Sequence, residues 1–186
     1  MKALLLPVSL VAALLTSPAN AAKVAGVKLD DTTQLAGATL VLNGAGVRKK
    51  FFVKVYVGAL YLANKVTTTE AALNESGPKR VLMHFLYKKV EREKLVEGWN
   101  VGFNSNSKAD MSKLQARLND FNKLFTDANK GDVILMDYVP GTGTQVTING
   151  KPKGTIPGAD FSKALLKVWL GAEPADSGLK RAMLGS

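Results

Sequence analysis

The chain has 186 residues, with 25 Lys and Arg against 15 Asp and Glu, a formal charge of +10, one histidine and no cysteine. The missing cysteines exclude disulfides and thiolate chemistry, and a lone histidine leaves too few ligands for an ordinary transition-metal site, so no metal and no cofactor are expected. The basic residues are scattered rather than gathered into a stripe, which argues against nucleic acid as a partner while leaving room for weak contact with an anionic membrane.

The first residues read as a cleavable targeting segment. Lys2 precedes an apolar stretch over 3–15, and Ala19-Asn20-Ala21 is a small-x-small cleavage site. The apolar stretch is too short to span a bilayer, which takes about 20 residues. The expected organisation is a signal peptide over 1–21 and a single domain over 22–186, exported to the periplasm or secreted.

Along the domain, residues 24–29 read as a first strand and 38–43 as a second. Gly44-Ala45-Gly46 then permits a bend or bulge, and a long strand over 47–63 follows. A short helix over 67–73 is capped by one of Thr67, Thr68 and Thr69. Residues 79–87 form a strand apolar on both sides, as if covered on both faces. Helices are expected over 91–103 and 108–130, the second with Met111, Leu114, Leu118, Phe121 and Phe125 at steps of three and four. Strands over 133–139, 144–148 and 151–156 follow, the last two joined by the hairpin dipeptide Asn149-Gly150. Helices over 158–170, with Gly171 at its end, and 177–184 close the chain. Helices cluster rather than alternate singly with strands, which predicts an α+β fold: an antiparallel sheet covered on one face by helices.

The chemistry is sparse. His84 sits mid-strand, with no Gly-x-Ser-x-Gly elbow to serve, and reads as a partly buried, hydrogen-bonded structural residue. Arg48 is the exception, because a permanently charged guanidinium in an apolar strand calls for an anion. Tyr56 lies eight residues on. In one regular strand the two would share a face but stand about 27 Å apart. Meeting around one ligand therefore needs a bulge or sharp bend near 49–52.

Gly44-Ala45-Gly46-Val47-Arg48, followed by the run from Phe52 through Tyr56 to Leu62, resembles the chalcone isomerase superfamily. Trp169-Leu170-Gly171, Glu173-Pro174 and the run from Leu179 to Gly185 extend the resemblance across the domain. It implies an open-faced β-sandwich, a large antiparallel sheet backed by helices, with a ligand cleft between the two layers. It also implies that Arg48 matches the arginine that steadies the substrate phenolate in the plant enzymes. The other catalytic hydroxyls depart: Tyr56 falls at the strand threonine, Leu95 near the helix tyrosine and Val168 at the C-terminal threonine or serine.

Arginine with a strand tyrosine is more similar to the fatty-acid-binding branch. That likeness implies ligand binding of a small amphipathic carboxylate by Arg48 and Tyr56, with Phe52, Leu95, Trp99, Phe103 and Phe161 as candidate cleft walls. The alternative is an isomerase or lyase acting on an enone or phenolic ligand, with Arg48 as the catalytic electrophile. A third reading is a vestigial pocket on a protein whose basic surface meets an envelope partner. Oligomeric state is left open.

Overall fold

The computed structural model describes residues 21–185, so the expected targeting segment lies outside the described residues except for Ala21. The chain opens with two short strands, β1 (Ala22–Val24) and β2 (Val27–Leu29), paired antiparallel. The single first strand expected over 24–29 is thus folded in two. Ala25 and Gly26, at φ 48° and 88°, form the two-residue turn. β3 (Thr32–Leu35) and β4 (Ala38–Lys50) are joined in the same way by Ala36 and Gly37, at φ 50° and 80°. Two consecutive positive φ values match the twist of the strands they connect.

The expected bend or bulge at Gly44-Ala45-Gly46 takes the form of a bulge at its edge, where the β4–β5 register shifts between Leu42 and Gly44, and β4 continues to Lys50 without turning back there. The chain reverses instead at Phe51-Phe52 into β5 (Val53–Leu62). The expected long strand is therefore a hairpin, with its register shifted between Leu42 and Gly44 and again between Arg48 and Lys49. The first irregularity leaves Asn43 as an extra residue on β4. Its buried side-chain amide donates to the Met183 carbonyl at 2.7 Å, and its Oδ1 accepts from the Val66 amide at 2.7 Å. The second leaves Val55 as the extra residue on β5; its carbonyl accepts from the amides of Leu86 and Tyr87.

Helix α1 (Thr69–Asn74) is capped by Thr68, whose hydroxyl accepts from the Ala71 amide. β6 (Lys79–Phe85) follows, with Val81, Met83 and Phe85 buried and Leu82 and His84 half-buried, so one face is closed more fully than the other. His84 makes no side-chain hydrogen bond among the described residues, contrary to expectation; it lies on the less covered face, where water is within reach.

β7 (Lys89–Val90) leads into α2 (Arg92–Asn106). This helix runs three residues past its expected end. The side-chain amides of Asn104 and Asn106 fold back onto the helix carbonyls of Asn100 and Gly102, and the helix ends at Ser107.

The helix expected over 108–130 is shorter. After a 3₁₀ turn, α3 covers Met111–Asn122, with Leu114, Leu118 and Phe121 buried. The chain then leaves the helix so that β8 (Ala128–Asn129) can pair with β7. Phe125 reaches the core from this non-helical turn, its ring 4.8 Å from that of Phe121. β9 (Val133–Val139), β10 (Gly143–Ile148) and β11 (Lys151–Ile156) form a meander, with Asn149 and Gly150 both at positive φ. Helices α4 (Ala159–Leu170) and α5 (Ser177–Met183) complete the chain. Gly171 stands at the end of α4, as expected, in an extended conformation at φ −67°. A β-carbon there would crowd the Asn106 amide.

Seven strands form one antiparallel sheet, ordered β11-β10-β9-β6-β5-β4-β3. It is the expected α+β architecture of a curled antiparallel sheet and helices. One face carries the main core, where Trp99, Phe121, Phe125 and Trp169 meet at ring separations of 4.8–5.6 Å. The other face carries a smaller cluster of Leu29, Leu40, Leu42, Val57, Ala59 and Tyr61, with β1 and β2 packed against it.

Candidate ligand cleft

The β4–β5 hairpin brings Arg48 and Tyr56 together. The reversal at Phe51-Phe52 makes them direct cross-strand partners. Opposed residues in an antiparallel pair stand only about 5 Å apart at Cβ, so the separation imposed by a single strand disappears. The Arg48 guanidinium carbon lies 5.7 Å from the centre of the Tyr56 ring, within range of a cation–π contact.

Arg48 is half-buried, yet its Nε atom is sealed from solvent without a hydrogen-bond partner, and the side chain forms no ion pair among the described residues. Burying such a donor unpaired costs about 1–3 kcal/mol, more for a charged group. Tyr56 is 4% exposed, and its Oη accepts a hydrogen bond from Trp169 Nε1 at 2.9 Å. The tyrosine's own proton has no acceptor among the described residues. Burial raises the Tyr56 pKa above the ordinary phenol value, and the nearby Arg48 charge only partly offsets this. The hydroxyl therefore stays protonated, as a donor, through neutral pH.

Both residues line a cavity of about 700 Å³ between the sheet and α2, which is within the usual size for a small-molecule site. Its walls include Val55, Met83, Leu95, Trp99 and Val168. Trp99 Nε1 is a second buried donor without a hydrogen-bond partner among the described residues. The cavity owes its depth on the helix side to glycine. Gly98 and Gly102 lie on the same side of α2 as Leu95, by the helical steps of three and four. A β-carbon at Gly98 would meet nothing within 4 Å, whereas at Gly102 it would crowd Val168 at 2.8 Å. Mid-helix glycine is unfavourable by up to about 1 kcal/mol; here one opens space and the other admits α4.

The glycines ahead of Arg48 serve helix α5. At Gly44 a β-carbon would collide with the Ala182 carbonyl oxygen, and at Gly46 it would lie 2.6 Å from the Ala182 β-carbon. α5 begins with Asp176 as its cap, Oδ1 accepting from the Leu179 amide at 2.8 Å. The other carboxylate oxygen of Asp176 accepts from the Lys49 amide at 2.9 Å. The C-terminal helix is thereby tied to the strand residue next to Arg48.

Of the expected walls, Leu95 and Trp99 line the cavity. Phe103 and Phe161 are fully buried core residues, stacked 5.2 Å apart outside it. Phe52 is also outside it, wholly exposed at the hairpin tip. Sequence reasoning missed the unpaired Trp99 indole nitrogen, the role of Trp169 beneath Tyr56 and the mouth residues Phe51, Val53 and Tyr87. The one available signal was the pair of glycines inside a helix. No group of three or more His, Asp or Glu side chains able to hold a metal occurs among the described residues.

Comparison of the sequence with curated proteins finds no match. Among solved structures, the chain is similar to a fatty-acid binding protein of Arabidopsis thaliana. The TM-score is 0.70 and the identity 16%, over 89% of this chain and 96% of that one. A family model described as chalcone isomerase-like matches residues 21–185. With that match over the whole described domain, the chain belongs to the chalcone isomerase-like family.

Proposed function

We propose that this protein is an exported, non-catalytic carrier of a small amphipathic carboxylate such as a fatty acid. Arg48 and the Tyr56 hydroxyl hold the carboxylate while the acyl chain runs along the apolar walls. The observation that carries this reading is the Arg48 guanidinium, without a hydrogen bond or ion pair among the described residues, at a largely apolar cavity of about 700 Å³. An anion supplies the missing acceptor, and a charge-assisted hydrogen bond is the strong kind. Each methylene taken from water adds about 0.8 kcal/mol. The shared fold with a fatty-acid binding protein favours the same reading.

The cavity walls support a carrier over a lyase. Leu95 and Val168 line the site where the resemblance assigns hydroxyl-bearing residues to the true enzymes. Without those groups a chalcone ketone has little to orient it.

Native mass spectrometry of the purified protein, with organic extraction, tests the proposal. A carboxylic acid adduct on the wild type that is lost in Arg48→Ala is expected. An adduct retained at equal occupancy in Arg48→Ala contradicts it. Export is tested on the same sample by the mass of the protein recovered from the periplasm, which should begin at Ala22.

A further inference from the structure

We infer that the tip of the β4–β5 hairpin is a docking element for an anionic lipid surface, placed so that ligand enters the cavity from the bilayer. Phe51 and Phe52 form the tip and are 88% and 100% exposed. Such side chains contribute nothing to the core, and two adjacent exposed phenylalanines form an apolar point rather than the scattered apolar residues of an ordinary surface. Val53 and Tyr87, exposed at the same mouth, widen it.

The backbone holds this point out. Phe51 takes φ 55°, a left-handed conformation that a bulky L-residue adopts only at a cost. A turn built only to reverse the chain would be better served by glycine or asparagine.

Charge identifies the occupant. Lys49, Lys50 and Lys54 flank the two phenylalanines and are exposed, as is Lys88 on the adjoining loop. The carboxylates near the mouth lie on α2 and on the α4–α5 loop, where Glu173 lines the cavity and Asp176 accepts from the Lys49 amide, rather than at the hairpin tip. On α2, Glu97 is held by Lys94 at 2.8 Å, and Glu91 is the helix cap. Apolar side chains ringed by lysine complement an interface of acyl chains beneath anionic headgroups. No helix among the described residues is long and apolar enough to cross a membrane.

The hairpin that carries the tip also carries Arg48 and Tyr56, and Lys50, Phe51 and Val53 belong to both tip and cavity wall. Docking stands on the surface alone; its use as a loading route rests on the carrier reading above.

The test is flotation of the ligand-free protein with phosphatidylcholine vesicles, with and without phosphatidylglycerol. The wild type is compared with Phe52→Ser and with the pair Lys49→Glu and Lys54→Glu. These side chains are exposed and outside the cavity, so thermal unfolding should be unchanged. The wild type is expected to float only with the anionic vesicles. Phe52→Ser should weaken this roughly tenfold, and the double lysine-to-glutamate variant, which loses two lysines at about fivefold each and adds two repelled carboxylates, should weaken it by at least about 25-fold.

Failure of the wild type to float, equal flotation of all variants, or flotation indifferent to phosphatidylglycerol would overturn the proposal. So would sedimentation showing that Phe52→Ser splits a dimer, since the tip would then be a contact between copies. Anionic flotation with no fatty-acid binding in solution would sink the carrier reading and leave the docking element standing.

Discussion

Trp169 donates its indole hydrogen to Tyr56 Oη at 2.9 Å, and this bond fixes what the tyrosine can offer a ligand. One lone pair is taken by the indole, and the hydroxyl proton, which has no acceptor among the described residues, is the one the proposed ligand would take. Replacing Tyr56 with phenylalanine removes that donor and also strands a buried Trp169 N–H. Affinity for a carboxylate should fall about tenfold, and stability should fall by about 1–3 kcal/mol. Isothermal titration and denaturant unfolding of the Tyr56→Phe protein check the two effects separately.

Two buried tyrosines predict a stability limit in alkali. Burial raises the Tyr56 pKa, and burial assisted by Asp30 pushes that of Tyr61 up to about 12. In the unfolded chain both ionise near pH 10. Between that pH and about 12 the unfolded state has released protons that the folded state still holds, so stability falls as pH rises. The melting temperature should hold steady across neutral pH and drop above about pH 10. Thermal scans followed by tyrosinate absorbance should show that the share of the signal from the two buried tyrosines, half of the four in the chain, appears with unfolding and not before it.

Glycine positions separate cavity from packing. Gly98→Leu places a side chain where nothing lies within 4 Å of the β-carbon position, and leucine is the better helix former. Ligand binding should be lost with stability held or raised. Gly44→Ala meets the Ala182 backbone instead and should cost about 1–3 kcal/mol or more by forcing α5 away. Unfolding curves and ligand titrations on the two variants should give opposite patterns.

These glycines also show where sequence reasoning stopped. Gly44-Ala45-Gly46 suggested a bend or bulge because glycine is conformationally free, and a bulge does lie beside it, but the glycines also serve the close approach of a helix more than 130 residues later in the chain, which no local pattern reveals. Asn149-Gly150 was legible as a hairpin because asparagine tolerates positive φ. Ala25-Gly26, Ala36-Gly37 and Phe51-Phe52 were not, because alanine and phenylalanine rarely begin such turns. The helical layer was legible from periodicity, though Phe125 kept the period of α3 while lying beyond its end. Arg48 and Tyr56 were legible as chemistry; their meeting depended on a turn that sequence located only as a requirement near 49–52.

The sheet's second face carries a prediction independent of the ligand. Arg80 grips Asp137 with two bonds, Nε to Oδ1 at 2.6 Å and Nη2 to Oδ2 at 2.7 Å, and donates a third to Thr33 Oγ1 at 2.6 Å. Both charges are largely buried. Asp137→Ala strands the guanidinium and should destabilise the fold by about 3–5 kcal/mol, read from the denaturation midpoint. The cavity is lined by other residues, so affinity of the remaining folded protein should be unchanged.

The most direct measurement is a calorimetric titration of one fatty acid and its methyl ester into wild-type and Arg48→Ala protein. The wild type should prefer the free acid at least about tenfold, and the preference should vanish in Arg48→Ala. Equal affinity of the wild type for acid and ester, or an acid preference that survives the loss of Arg48, would contradict the claim that this guanidinium receives a carboxylate.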